Sequence, residues 1–498
     1  MAFARIFVAL ALIGSSVPAM AQHEGHAGAT TQAIPSGANP YERGLYLLHN
    51  FEYGTAAAAF RDAQKADPSS VMAYWGEAMT YNHPLWAEQD LTAARAVLGR
   101  LGPDPASRRS KARTAREAAW LEAVETLYGA GSKVERDAAY HARMKAVFDA
   151  DPADIDARTF YALATLGLAS QGRDTALYMK SAALLEEAYP AHSDHPGLLH
   201  YMIHSYDDPD HAPLGERAAE RYAKVAPDAG HAQHMISHIY LALGRWDEVE
   251  RANVTAAKLV NEQRAAAGTP PTSCGHYNEW LAYALDQQGK DSQPLVDACR
   301  AQALVAAARN DDKTVLGQVR NPYNNWANIA VRHGVDTGRW PPADAISTGD
   351  QAVLGRFTLA YGRMLESRRD AAAARASLDR LKAYRSQMVA AMPVEWPDDH
   401  ETVAWLDRAV AQGEAVVALA SGETARGIEL LQAGADAEAA LPVPFGPPVL
   451  AKPSAELLGD ELLAMGRKAE AAAAFRRALA SAPNRRRSVE GLKAATQP

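Results

Sequence analysis

The chain has 498 residues, a net charge of −8, and acidic and basic side chains interspersed along its length. That length accommodates several domains or one long array, and an Ala-rich, Ile-poor composition favours helices over sheets. No basic stripe of the kind nucleic acid requires is present; Arg485, Arg486 and Arg487 form only a short run, expected to be a solvated helix end.

The first element is a targeting segment. Arg5 precedes an apolar stretch from Ile6 to Ile13, and Pro18-Ala19-Met20-Ala21 supplies an Ala-x-Ala cleavage site, so residues 1–21 read as a signal peptide and Gln22 as the mature start. Export to the periplasm or beyond is the expectation. No Cys follows the site, which argues against a lipid anchor there. No later apolar run reaches the roughly 18 residues that a membrane span needs, so no membrane insertion is expected. Residues 22–36 are polar and Gly/Ala-rich and read as a disordered tail. Its His23, Glu24 and His26 offer Cu(II) a chelate beside a free N-terminus, or are simply part of a flexible tail.

Helical hairpins are expected from there on: 37–170 as an N-terminal set, 171–335 as a central His-rich set, and 336–440 as further hairpins. A Pro-rich linker at 441–453 and a C-terminal repeat at 454–498 follow. Gly44, Leu47, Ala56, Phe60, Ala63 and Pro68 alternate small and large residues at fixed offsets, and Tyr74, Ala78 and Tyr81 continue the pattern. In the centre, one unit runs from about Pro196 to Ala229 and the next starts at Gly230. A third starts near Gly275, and a fourth spans Arg320 to Gly334. Near the C-terminus Leu458, Gly459, Leu462, Gly466, Ala471, Phe475, Ala478 and Pro483 repeat the series. Small residues let two helices of a hairpin touch, aromatics fill the space between hairpins, and Pro ends the second helix. No convincing strand alternation appears. These positions resemble the tetratricopeptide repeat, which implies an all-α solenoid of helical hairpins with a concave groove lined by first-helix positions.

Eight of the sixteen histidines fall between His192 and His238. His200 and His204 are four apart, as are His234 and His238, and the second pair follows the first by 34 residues. Spacing of four puts two side chains on one helical face, and 34 is the period of a helix-turn-helix repeat. Four imidazoles thus occupy equivalent positions of adjacent helices. Helices pack about 8–10 Å apart, so such imidazoles can converge on one ion at about 2.0–2.1 Å per bond. In the same register the third unit carries Glu279 and Tyr283, the fourth carries Asn324 and Asn328, and His231 lines up with His276. Glu279 is the candidate fifth ligand or, alternatively, a general base beside a metal-bound water. His195, His231 and His276 would flank the site, and Asp207, Asp208 and Asp286 would hydrogen-bond the distal ring nitrogens. Trp75, Glu77, His83, Asn324 and Asn328 are candidate groove residues; for the aromatic run around Trp75, repeat core is the alternative.

The strings from His195 to His204 and from His231 to His238, with Ala73 to Met79, resemble a widespread group of exported tetratricopeptide proteins. That group carries a His-Pro-Gly…His…Ile-His motif followed by His-Ala-x-His-Met-x-Ser-His. The resemblance spans much of residues 40–300 and implies the fold and the location of the site; it names no reaction.

Four neutral imidazoles suit Zn, Cu, Ni or Fe, and the exported setting tilts the reading to copper or zinc, with iron still open. The competing reading is a metal-free groove that binds a peptide or partner protein, the commonest use of such a fold; a small-molecule ligand there is also open. Cys274 and Cys299 fall at neighbouring ends of one hairpin and are expected to be bridged in an oxidising compartment, with metal thiolates as the weaker alternative. Phosphate-binding loops, dinucleotide fingerprints, nucleophile elbows, His-Glu-x-x-His and Cys-x-x-Cys-His motifs are all absent from the sequence.

Overall fold

The computed structural model describes residues 38–169, 172–309, 322–342, 353–391 and 400–497; the leader expected at 1–21 and the tail at 22–36 lie outside them. The described chain is an all-α solenoid. Its first part comprises α1 (Pro40–His49), α2 (Tyr53–Ala66), α3 (Val71–Met79), α4 (Leu91–Leu101), α5 (Pro105–Arg109), α6 (Ala115–Leu127), α7 (Lys133–Ala150) and α8 (Ile155–Leu166). The central part follows with α9 (Thr175–His192), α10 (Pro196–Tyr206), α11 (Ala212–Val225), α12 (Gly230–Ala242), α13 (Trp246–Ala266), α14 (His276–Gln287), α15 (Gln293–Arg309) and α16 (Pro322–Thr337). The last part holds α17 (Val353–Glu366), α18 (Ala371–Ala391), α19 (His400–Ala420), α20 (Thr424–Ala439), α21 (Ser454–Ala464), α22 (Lys468–Ser481) and α23 (Arg486–Thr496).

Local chemistry sets these boundaries. Asn39 and Glu42 close a capping box at α1, with Pro40 in the first turn. Asp154 and Asp174 cap α8 and α9 through their carboxylates. The repeat signature acts through close approach. A Cβ added at Gly44 or Gly76 would run into the Phe60 ring, and one at Gly459 or Gly491 into Phe475. Phe60 and Phe475 are fully buried between these glycines, each contributing on the order of 1.5–3 kcal/mol of apolar burial. One feature departs from the all-helical expectation. A short antiparallel ribbon, β1 (Asn82–His83) with β2 (Glu88–Gln89), brackets a 3-10 turn at Pro84–Trp86. Pro84 lacks the N–H that would continue the helix, and the Gln89 amide donates to Asn82 Oδ1 across the ribbon at 3.0 Å.

Successive helices pack on one another along the array, and three distant segments then fold back on its centre. The end of α1 reaches α10, where the Tyr201 hydroxyl meets His49 Nδ1 at 3.1 Å. The Pro-rich segment 441–453 runs across α9, α14 and α16. Phe445 lies against Arg173 and Tyr178, the Gly446 backbone presses on Trp280, and Pro448 O accepts from Arg332 at 3.0 Å. Finally, the turn before α23 docks on the middle of the chain. Asn484 O accepts from Trp246 Nε1 at 3.0 Å, and the Arg486 amide donates to Gln287. Arg485 is therefore not the solvated residue the basic run suggested. It is fully buried, paired with Glu456 and Asp336, and donates to Ala451 O. Cys274, just ahead of α14, is bridged to Cys299 in α15.

Candidate metal centre

α10, α12 and α14 are the first helices of three successive units, and they bring six histidines together. His200 and His204 come from α10, His231, His234 and His238 from α12, and His276 from the start of α14. The convergence differs from a single four-histidine site. Ligand atoms of His200, His204 and His231 lie within 4.8 Å of one another, as do those of His234, His238 and His276. The two sets abut through His204 and His238, which form a further group of the same span with Asp207. His231 and His276, expected only to flank the site, are thus placed as potential ligands. The reason is helical geometry: the first turn of the next unit's first helix lies beside the i, i+4 pair of the preceding one.

The histidines do not line an open groove. His200 is 0% exposed, His204 3%, His234 1% and His238 8%; His276 is half-buried. Aromatic rings enclose them. Phe51 lies 4.3 Å from His200 by ring centroids and also touches His204 and His231. Trp280 covers His238 at 4.6 Å and His234 at 4.7 Å, and Tyr222 stacks on His200. Phe51 reaches this position from the α1–α2 turn with φ 55°, a left-handed conformation that a bulky side chain adopts only at a cost. A Cβ at Gly197 would fall 2.2 Å from His49 Nδ1, so the glycine of the His-Pro-Gly string is what admits the end of α1.

Hydrogen bonds fix the ring orientations. His200 Nδ1 donates to His49 O at 2.7 Å, leaving the Nε2 lone pair inward. His234 Nδ1 donates to Asn253 Oδ1 at 2.8 Å; the Asn253 amide nitrogen donates to Val249 O and Ser237 Oγ, which sets its oxygen toward the ring. His238 Nδ1 donates to Asp207 Oδ2 at 3.0 Å. His234 Nε2 and His238 Nε2 then face each other at 3.2 Å, each carrying a lone pair and no proton. His200 Nε2 and His231 Nε2 are also 3.2 Å apart. His204 is buried with neither ring nitrogen hydrogen-bonded; its Nδ1 lies 3.5 Å from Asp207 Oδ2. Burial holds His200 down to a pKa of about 3 and pushes His204, His238 and His276 below the usual histidine range, with neighbouring imidazoles adding to the effect at His204 and His238. These four rings are therefore neutral, the form that coordinates metal.

Other expected site residues sit elsewhere. Glu279 is ion-paired with Arg332 and belongs to neither histidine set. Tyr283 meets Arg485 and Trp246. Asp208 pairs with Arg173 and His211, and Asp286 with His333 and Ser292. His195 caps α10 through Nδ1 and meets Asp156 through Nε2 at 3.2 Å. His49 shares the same Asp156 oxygen at 3.1 Å, so this trio is satisfied by hydrogen bonds alone. Trp75 is core, edge-on to Trp120 and Phe160. Glu77 is buried under Arg61, Arg100 and Gln64. His83 contacts Thr80 O and packs on Tyr53. Asn324 accepts from the Gly355 amide and Asn328 from the Thr358 hydroxyl; both brace α16 against α17. His49, which orients a ring by its backbone carbonyl, and Asn253, which does so by its side chain, carried no signal in the sequence, because a carbonyl is common to every residue and Asn253 stands where the preceding unit has Ala219.

No family model and no curated protein matches the chain. A solved structure, Naa15/Naa10 bound to HypK-THB, is similar over 88% of this chain and 67% of that one, at 11% identity and a TM-score of 0.20, too loose a likeness to bear on the site.

Proposed function

We propose that the protein is an exported, tetratricopeptide-like metal-binding protein that holds a transition metal, copper or zinc, on its buried histidines. One observation carries this reading: His234 and His238 direct two lone pairs at each other across 3.2 Å, with both Nδ1 protons committed elsewhere. Without a cation between them that contact is repulsive and sits in a desolvated site. With an ion bound at 2.0–2.1 Å to each nitrogen, tetrahedral coordination separates the two nitrogens by about 3.3 Å. Acceptors on the far nitrogens are the usual device for aiming histidine ligands. Burial of the imidazoles and the packing of 441–453 across Trp280 weigh against a peptide lying in an open groove at this place. Export draws support from the leader-like N-terminus and from the bridged Cys274–Cys299 pair, since disulfides persist in oxidising compartments.

The test is elemental analysis of untagged protein recovered from the exported fraction, with the intact mass reporting the N-terminus. Stoichiometric copper or zinc, reduced in His234→Ala/His238→Ala, is the expected result. A metal-free protein that also takes up no added copper, zinc or iron would sink the metal reading. A chain retaining residues 1–21 in the cytoplasm would sink the export reading.

A further inference from the structure

The two histidine sets are built alike. Each takes an i, i+4 pair from the first helix of one unit and one histidine from the first turn of the next unit's first helix: His200, His204 and His231 in one, and His234, His238 and His276 in the other. Each contains an Nε2–Nε2 contact at 3.2 Å, between α10 and α12 for His200 and His231 and within α12 for His234 and His238. The repeat has thus duplicated a whole three-nitrogen site, and packing has set the copies side by side.

We propose that the centre binds two copper ions per chain, one in each triad, a proposal that rests on the metal-binding function above. The count follows from geometry. One ion at 2.0–2.1 Å per bond takes about four nitrogens, and the six here separate into two groups of three. His204 adds an independent sign, since both its nitrogens are buried without a hydrogen-bond partner; a buried polar group left so is costly unless something not yet in place satisfies it.

Copper follows from charge and coordination number. Every prospective ligand in the two triads is an imidazole, which brings no negative charge to an ion. Glu279 is compensated by Arg332, whereas Asp207 and Asp208 share the single guanidinium of Arg173. About one negative charge is therefore left there to offset the ions. Two zinc ions would bring four positive charges into a shell of Phe51, Tyr222 and Trp280. Two Cu(I) ions bring half of that, and buried uncompensated charge is expensive. Three nitrogens also complete a trigonal Cu(I) site, whereas Zn(II) takes a fourth ligand. Asp207 stands between the triads as a hydrogen-bond acceptor, occupied by His238 Nδ1–H and Arg173.

The experiment is an anaerobic titration of the chelator-stripped full chain with Cu(I), in competition with bicinchoninate. Two equivalents are expected in the unaltered chain. One should remain in His200→Ala/His231→Ala, one in His234→Ala/His276→Ala, and none in the combination, which also controls for binding by the N-terminal tail. Circular dichroism checks folding; if a double variant loses helicity, the half-buried single variant His276→Ala should weaken one of the two equivalents against bicinchoninate and leave the other unchanged, and equal weakening of both would overturn separate sites. A single equivalent in the unaltered chain overturns the pair of sites while leaving metal binding intact. Loss of both equivalents on breaking one triad overturns it too. Uptake of two zinc ions and no copper overturns the copper assignment, and uptake of no metal at all sinks the function itself.

Discussion

At His238 the two ring nitrogens do different work. Nδ1 is tied to Asp207, and Nε2 is the face offered to an ion. Removing the acceptor frees the ring to rotate and lowers its basicity, and loss of such an outer partner typically weakens metal binding by about ten- to a hundredfold. Asp207→Ala should show that loss in chelator competition while keeping its helical circular dichroism, because Asp208 still pairs with Arg173. Unchanged affinity would mean that Asp207 does not orient a ligand. Much of this was legible in the residues themselves, since the spacing of four and the offset of 34 place His200, His204, His234 and His238 together. The division into triads was not, because the third member of each comes from the next helix's first turn, where sequence spacing alone does not say which neighbour it faces. The partners on the far nitrogens were invisible for a similar reason: a backbone carbonyl 151 residues away from His200 leaves no mark in the residue pattern.

Helical hairpins were readable from small and large residues at fixed offsets, since Phe60 and Phe475 each need glycines opposite them. The segment 441–453 was not. Its prolines and lack of periodicity look like a spacer, yet its backbone carbonyls bind Arg332 and Arg485, and Leu450 and Ala451 are buried. It works as a strap fastened by backbone groups, which are the same in every sequence. Gly446 is its tightest point, with φ 118° and no room for a Cβ, which would sit 2.4 Å from Trp280 Cζ2. Trp280 in turn rests on His234 and His238. Gly446→Val combines a left-handed backbone conformation with a clash and should lift the strap at a local cost of about 1–3 kcal/mol. Release of bound metal to an external chelator should then be at least about tenfold faster by stopped-flow absorbance, with overall helicity retained. Equal release rates would show that ions leave by a route the strap does not cover.

Across the whole molecule, the solenoid is held in its wound shape by a buried charge cluster rather than by repeat stacking alone. Arg485, ahead of α23, meets Glu456 of α21 and Asp336 of α16, and Lys452 of the strap pairs with Glu456 and Asp460. These groups come from elements far apart in sequence, which is why the arginine run looked like a solvated end. Arg485 and Lys452 hold the Glu456 carboxyl down to about 2 against the opposing effect of burial, below the ordinary 4.5. A carboxylate with a depressed pKa stabilises the fold above its unfolded value and loses that contribution as pH falls toward its folded value. For Glu456 the window is from about pH 4.5 down to about 2, and its size is on the order of 3 kcal/mol. Asp336 acts in the opposite sense, because burial raises its pKa and acid relieves it of an ionisation cost. Glu456→Gln separates the two. The variant should be less stable at neutral pH, where Arg485 and Lys452 lose a buried partner, a change that costs about 3–5 kcal/mol. Its denaturant midpoint should also fall less steeply than that of the unaltered chain between pH 5 and 2.5. Parallel curves over that range would mean that Glu456 does not anchor the closure. Protons compete for the imidazoles in any variant, but because the same strap lies across the histidines, acid should quicken metal release more in the unaltered chain than in Gly446→Val, where the strap is already raised.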